Sequence, residues 1–131
     1  MLENENVTSL KIIVPNSLFC GQALGYLTVV NTKTYPYSID YTGKVGDKND
    51  RSHINSITKT PIKGLYVVGT NRGLALIKTI DKNIKVEKYY FKDRIIKSVA
   101  FLSGSKVVFS FDGQDKLNIF DLGINSIVNT I

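Results

Sequence analysis

One sequence pattern occurs three times along the 131 residues of this chain and restricts its fold more than any other feature. A short apolar strand ends in Gly or Phe, a turn follows, and a second strand begins: LFCG before YLTVVN, LYVVG before GLALIK, and VVFSF before KLNIFD. The equivalent residues Leu27, Leu74 and Leu117 are 47 and 43 residues apart. Repeats of this length are single supersecondary units that stack on their neighbours.

Each copy of the repeat contains four short predicted strands. Apolar runs rich in Val, Ile, Tyr and Phe alternate with Gly, Asn, Asp and Pro, and helical periodicity is nearly absent. The predicted strands are Val7–Val14, Leu18–Gly21, Leu27–Asn31, Tyr37–Tyr41, Ile54–Thr58, Leu65–Gly69, Leu74–Lys78, Ile84–Tyr90, Ile95–Phe101, Lys106–Phe111, Leu117–Asp121 and Ser126–Ile131. We therefore predict an all-β fold of four-stranded antiparallel repeats that form part of a β-propeller. The predicted repeats are residues 7–50, 51–94 and 95–131.

The first strand of each copy has the pattern apolar-x-Ser-apolar. It is VTSL at 7–10, INSI at 54–57 and IKSV at 96–99. In a propeller this strand lies nearest the central channel, where space is tight and small residues fit. The alternation of apolar residues in the third strand of the second and third copies predicts that one face of each sheet packs on its neighbour.

The third copy resembles a WD40 repeat. In Ile96–Leu122, Asp115 stands at the tight turn and Phe120-Asp121 stands where that family has Trp-Asp. The chain has no Trp, so the family's hydrogen-bond network of His, Ser or Asp, and Trp cannot be assembled. The resemblance implies a non-catalytic platform that binds other proteins, in the form of degenerate WD40-like propeller repeats.

The second copy is a weaker match to the same family. His53 falls at the position of the family's Gly-His pair, but Ser52 replaces the Gly and Ile77-Lys78 replaces Trp-Asp. Its turn, GTNRGL, is similar to a G-T-x-x-G-L turn found in other propeller families. Degenerate WD40 repeats and a propeller of another family are both open on these residues.

Three repeats are fewer than the four to eight blades of closed propellers. An open arc would expose the apolar faces of its first and last sheets. We therefore expect that a partner chain, a second copy or further sequence completes the ring.

The residue types that usually carry catalysis or bind metals are scarce. His53 is the only histidine and Cys20 the only cysteine, whereas a metal site usually needs several converging ligands. Asp112-Gly113 suits a tight turn, and the nearby Asp115 does not complete a calcium loop. We expect no cofactor and no catalytic role; a propeller hydrolase, which needs carboxylates around a channel, is the second alternative.

Two stretches are the candidate partner-binding sites. The chain has a net charge of +6, carried by 14 Lys and only 3 Arg, which indicates a soluble surface more than phosphate recognition. Tyrosine is favoured at interfaces, and basic residues interleaved with aromatics also occur in single-strand nucleic-acid platforms. The candidates are Tyr35, Tyr37, Lys88, Tyr89, Tyr90, Lys92 and Arg94. A basic nucleic-acid-binding β module is therefore the first alternative.

The expected location is intracellular, in the cytoplasm or nucleus. A lone Cys20 cannot form an internal disulfide, which favours a reducing compartment. The first residues, MLENENVTSLK, lack the positive and apolar regions of a secretory signal. No run approaches the roughly 20 apolar residues that cross a bilayer, so we expect no membrane partner.

Overall fold

Twelve β-strands make up almost all of the regular structure in this computed structural model, which describes residues 6–13, 15–46, 52–81 and 83–131. They form three four-stranded antiparallel sheets, so the predicted fold class is confirmed. Sheet 1 consists of β1 (Val7–Ile13), β2 (Ser17–Gln22), β3 (Tyr26–Asn31) and β4 (Ser38–Lys44). Sheet 2 consists of β5 (Ile54–Lys59), β6 (Leu65–Thr70), β7 (Gly73–Ile80) and β8 (Asn83–Tyr90). Sheet 3 consists of β9 (Ile96–Ser103), β10 (Lys106–Phe111), β11 (Asn118–Asp121) and β12 (Ser126–Thr130).

The order of the predicted strands is confirmed, and their ends differ from prediction by at most three residues. The predicted end of the first strand at Val14 lies outside the described residues, as does the predicted boundary between residues 50 and 51. Two predicted strand ends, Leu117 and Ile131, lie just beyond the observed strands. Their backbones nevertheless exchange two hydrogen bonds, of 2.8 and 2.9 Å, so the pairing of β11 with β12 continues through them.

The three sheets are arranged around their first strands. β5 contacts both β1 and β9, and the outer strands β4 and β8 also contact one another. Strands β5 and β9 run in the same direction, because Ser56 Oγ accepts from the N–H of Val99 at 3.1 Å and Thr58 Oγ1 accepts from the N–H of Phe101 at 3.2 Å. Strands β1 and β5 are joined by a hydrogen bond from Thr8 Oγ1 to Ile54 O. Sheets 1 and 3 therefore lie on opposite sides of sheet 2.

Sheet 2 buries both of its faces, since successive residues of a strand point to opposite sides. Ala75 and Ile77 belong to a core cluster with Phe19, Leu27 and Val29 of sheet 1. The intervening residues face the other way. Leu74 is buried in the second cluster and Leu76 packs against it, together with Val107, Phe109 and Phe120 of sheet 3. The two cores are therefore separate and share sheet 2 as their common wall.

Glycine allows the first strand of each later sheet to approach the sheet before it. A Cβ atom at Gly21 would lie 2.5 Å from Ile54 Cγ2 and 2.2 Å from Ser9 Oγ. At the next junction, a Cβ atom at Gly69 would lie 3.0 Å from Ile96 Cγ2. Gly21 and Gly69 are equivalent, because they pair with Ser9 and Ser56. A larger residue at Gly21 would push the first two sheets apart, whereas Gly69 leaves more room and a Cβ there requires only a small shift.

The connections between strands lie at two ends of the sheets. The end that carries the β1–β2, β3–β4 and β5–β6 connections is called the lower end. The end that carries the β2–β3, β6–β7 and β8–β9 connections is called the upper end. Within the described ranges the helical structure is a three-residue 3-10 turn, Ala23–Gly25. No helix there has the length and apolar character needed to span a membrane.

We expect Gly21→Ala to lower the free energy of unfolding by roughly 1–3 kcal/mol, because the added methyl group overlaps Ile54 and Ser9. Gly123→Ala is the matched control, since its Cβ would approach only side-chain atoms of exposed or half-exposed residues, the nearest at 3.1 Å. That variant should cost clearly less than Gly21→Ala, because the side-chain atoms of Asp121 and Ser105 that it approaches can move aside. Urea denaturation followed by circular dichroism measures both values. Equal losses in the two variants would contradict the close approach at Gly21.

Candidate functional site

Tyr35 and Tyr37 lie in the β3–β4 connection at the lower end. Tyr35 is 86% exposed and its ring meets that of Tyr37 edge-on, with 5.6 Å between the ring centroids. Tyr37 is also exposed. The pair therefore presents two aromatic rings to solvent beside the outer edge of sheet 1, where they are accessible to a partner.

Tyr89 and Tyr90, at the end of β8, are both half-buried between sheets. Tyr89 packs against the core between sheets 1 and 2, and its hydroxyl lies 2.9 Å from Thr70 Oγ1. Tyr90 faces the other core, with its ring centroid 4.7 Å from that of Phe120. Its hydroxyl donates to Asn125 Oδ1 at 2.6 Å, and burial raises the pKa of this phenol. Both rings are committed largely to packing, so a partner could reach only their exposed edges.

The three basic candidates are exposed, and two of them, Lys92 and Arg94, lie over aromatic rings. Lys92 Nζ lies 5.8 Å from the centroid of the Tyr89 ring, and the guanidinium carbon of Arg94 lies 3.9 Å from that of Phe111. Lys88 Nζ donates to Asn125 Oδ1 at 3.4 Å. Lys85 and Glu87 of the same strand are exposed as well. A basic surface thus follows the end of β8 and the β8–β9 connection.

The structure does not bring all the candidates together. Residues 88–94 are contiguous on sheet 2 and the connection after it, at the upper end. Tyr35 and Tyr37 are at the lower end of sheet 1. The seven residues therefore lie on two different sheets and form two separate surfaces.

A comparison of equivalent residues in the three repeats identifies a larger exposed apolar surface. Leu27 and Leu74 are fully buried because a following sheet covers them, whereas the equivalent Leu117 of sheet 3 is 49% exposed. Val108 and Ile119 are paired on adjacent strands of sheet 3 and are half-buried. We call the surface of Ala100, Val108, Leu117 and Ile119 the trailing face.

Sheet 1 shows the same difference in burial among equivalent residues. Ile57 and Val99 are buried against a preceding sheet, whereas the equivalent Leu10 of sheet 1 is 63% exposed. Leu10 belongs to a surface that points away from sheet 2. We call the surface of Val7, Leu10, Ile12, Leu18, Val30 and Ile39 the leading face. Four of these residues, Ile12, Leu18, Val30 and Ile39, form one continuous row across the four strands.

A cavity of about 330 Å³ opens at the lower end between sheets 1 and 2. The β1–β2 and β5–β6 connections line it, with Ile62, Lys59 and Lys63 among its residues and Tyr66 at its wall. Sequence reasoning missed this cavity because its walls come from two turns 46 residues apart. Its lining holds two lysines and no carboxylate.

The described residues give little basis for metal or nucleophilic chemistry. No three His, Cys, Asp or Glu side chains among them converge closely enough to hold a metal ion. His53 is exposed, and its backbone carbonyl accepts a 3.1 Å hydrogen bond from the N–H of Asn71 in the next turn. Cys20 is buried in β2, and desolvation raises the pKa of its thiol. The thiol therefore stays protonated and behaves as a small apolar group.

Phe120 and Asp121, the two residues at the WD40 family's Trp-Asp position, have different structural roles. Phe120 is buried in the core between sheets 2 and 3. The Asp121 carboxylate accepts hydrogen bonds from Ser105 Oγ at 2.6 Å and from the N–H of Gly123 at 2.8 Å. These bonds, the Ser105 bond first, lower the pKa of Asp121. The carboxylate therefore ties the β9–β10 turn to the β11–β12 turn.

No protein-family profile matches this chain, and no curated protein matches it in sequence. Solved structures do match. The β-propeller domain of Cps50 (Swd1) from Myceliophteria thermophila superposes with a TM-score of 0.75 at 18% identity, over 95% of this chain and 40% of that one. Sqt1 from Saccharomyces cerevisiae superposes with a TM-score of 0.77 at 19% identity, over 98% of this chain and 35% of that one.

The fold is therefore that of WD40-like β-propeller repeats, as the resemblance of the third copy implied. The chain spans 40% and 35% of the length of these two structures. Three four-stranded sheets correspond to part of a ring.

We expect the candidate tyrosines to differ in their contribution to stability. Tyr35→Ala should change the free energy of unfolding by less than about 0.5 kcal/mol, because the side chain is almost fully exposed. Tyr90→Ala should cost about 2 kcal/mol through lost packing on Phe120, and Tyr90→Phe only about 1 kcal/mol through the lost hydroxyl bond. Urea titrations give these values, and a large loss in Tyr35→Ala would contradict its placement.

Asp121 should make stability fall in acid. Because its folded pKa lies below the reference value of 3.8, its contribution is complete above that pH and is lost as the pH falls through the folded value. Thermal unfolding between about pH 6 and pH 3 should show a smaller loss for Asp121→Asn than for the wild type. A profile identical to that of the wild type would show that the two hydrogen bonds contribute nothing.

Proposed function

We propose that this chain is a non-catalytic protein-binding module, three blades of a WD40-like propeller that associate with protein along the leading and trailing faces. The observation that carries this proposal is the contrast among repeat equivalents. Leu27 and Leu74 are fully buried by the next sheet, and Leu117 at the same position is about half-exposed. Exposed apolar patches that are rimmed by polar residues mark protein interaction sites.

The ends of the sheets supply further contact residues. We propose that Lys88, Lys92 and Arg94 contact a partner at the upper end, with the exposed edges of Tyr89 and Tyr90 between them. Tyr35 and Tyr37 provide a second aromatic contact at the lower end, and the proposal places the protein in the cytoplasm or nucleus. Aromatic and Arg side chains dominate binding energy at protein interfaces, whereas rim lysines mainly set the association rate.

The first experiment compares what the immobilised chain captures from an extract of its own organism. Wild-type chain should capture a defined set of proteins, further copies of itself included, and Leu117→Asp should lose them because it places a charge on the trailing face. Ile62→Asp is the matched control, because Ile62 is exposed in the β5–β6 connection, away from both faces. Circular dichroism checks that both variants fold. Identical capture by Leu117→Asp and the wild type would contradict the proposal.

The basic surface gives a separate prediction. Charge reversal in Lys88→Glu/Lys92→Glu should leave the unfolding curve within about 0.5 kcal/mol of the wild type, because both side chains are exposed. The same variant should bind the captured proteins more slowly at low salt. Surface plasmon resonance measures the association rate, and unchanged rates would remove these lysines from the contact surface.

Nucleic-acid binding is tested with a labelled 20-nucleotide single strand. The half-buried rings of Tyr89 and Tyr90 leave little face for base stacking, so we expect no saturable binding at about 150 mM salt. Fluorescence anisotropy measures it. Saturable binding whose affinity falls steeply with salt would favour the nucleic-acid alternative over a protein partner.

A further inference from the structure

The two junctions between sheets use the same contact at their centre. The first residue of the later sheet packs on a glycine of the earlier sheet: Ile54 on Gly21, and Ile96 on Gly69. Both isoleucines are fully buried. From the ideal Cβ position of each glycine, the Cβ atom of the isoleucine is 3.0 Å away at the first junction and 3.7 Å away at the second.

Each junction also has a hydrogen bond from the earlier first strand to the later one. The donor is the residue just before the repeated serine, and the acceptor is the backbone carbonyl of the packed isoleucine. Thr8 Oγ1 donates to Ile54 O, and Asn55 Nδ2 donates to Ile96 O. At the second junction Ser56 Oγ also accepts a 3.1 Å bond from the N–H of Val99.

Sheets 1 and 3 each carry one half of such a junction on the face that points away from sheet 2. On sheet 1, Val7 stands at the position of Ile54 and Ile96 and is 45% exposed. On sheet 3, Ser110 stands at the position of Gly21 and Gly69, because it pairs with Ser98 as they pair with Ser9 and Ser56. Lys97 stands at the donor position and is exposed.

The residue sizes at these two ends differ from the internal junctions in opposite directions. Val7 is one carbon smaller than the isoleucines, and Ser110 is larger than the glycines by a hydroxymethyl group. Val7 keeps the branched Cβ of the isoleucines, so the contact at the new junction is of the same kind. The Cβ atom of Ser110 fits at a spacing like that between Gly69 and Ile96, where the two Cβ positions are 3.7 Å apart, after a shift of a few tenths of an ångström. Lys97 retains a donor for the carbonyl of residue 7, as Thr8 and Asn55 do for their partners.

We propose that the leading face of one chain packs on the trailing face of a second copy of this chain, with Val7 of each copy on Ser110 of the other. This inference rests on the proposed function and names its partner. Two such junctions, related by two-fold symmetry, close a ring of six sheets, which lies within the four to eight blades of closed propellers. Each copy buries both of its open faces in this arrangement, and neither apolar surface is left exposed.

Disulfide cross-linking tests the pairing directly. If the new junction matches the internal ones, residue 7 of one copy and residue 110 of the other have Cβ atoms close to the roughly 3.8 Å that a disulfide needs. We expect Val7→Cys/Ser110→Cys, in a Cys20→Ala background and treated with diamide, to run as a covalent species of about twice the 14.6 kDa chain mass. Dithiothreitol should return it to the monomer. Val7→Cys/Ile62→Cys, in the same background, is the matched control and should give no more dimer than Val7→Cys alone.

Three results would overturn the proposal. A ladder of higher oligomers would show contact without ring closure. Dimer in equal amount from the control pair would show non-specific association. A monomer without a cross-link would show that the chains do not associate. Sedimentation velocity of the unmodified chain measures its oligomeric state even if the cysteine variants fail to fold. A monomer whose trailing face still captures other proteins overturns only the second-copy inference, whereas a monomer that captures none overturns the proposed function as well.

Discussion

Each β-sheet here has apolar side chains on both faces, and the need to bury both faces is the constraint on which this structure depends. Sheet 2 satisfies it, because Leu74 and Ala75, adjacent in β7, enter different cores on its two sides. Among the described residues, sheets 1 and 3 each have one face that packs on sheet 2 and one face on which large apolar side chains such as Leu10 and Leu117 are exposed. Burial of apolar surface contributes about 25 cal/mol per Å², so covering the exposed apolar side chains of these two faces would add stability. The proposed association with protein rests on that imbalance.

The architecture was predictable because the repeat is encoded by local residue types. Strands of four to eight residues with β-branched and aromatic side chains alternate with turn residues, and the strand order follows the chain without crossovers. The residue spacing between copies indicated stacking before any geometry was known. The candidate tyrosines were less predictable. Tyr35 and Tyr37 lie on an exposed connection, although the predicted strand began at Tyr37, and burial of Tyr89 and Tyr90 depends on register.

A register shift in β8 explains that difference. Pairing with β7 slips between Leu76 and Ile77, so Ile84 and Val86 share their face with Tyr89. Tyr90 then points to the opposite core. Simple alternation would have placed Tyr90 with Val86 and left Tyr89 on the other side. The lower-end cavity and the junction contacts were also beyond the sequence alone, because each joins residues from different repeats that lie close only once the sheets are stacked.

The central claim is that three sheets form an arc whose two open faces are covered by a second copy. Small-angle X-ray scattering of the unmodified chain, collected directly from a gel-filtration column, tests it most directly. The account predicts a mass of twice 14.6 kDa and a radius of gyration of about 18 Å, both independent of concentration. A mass of 14.6 kDa with a radius of gyration of about 14 Å would contradict it.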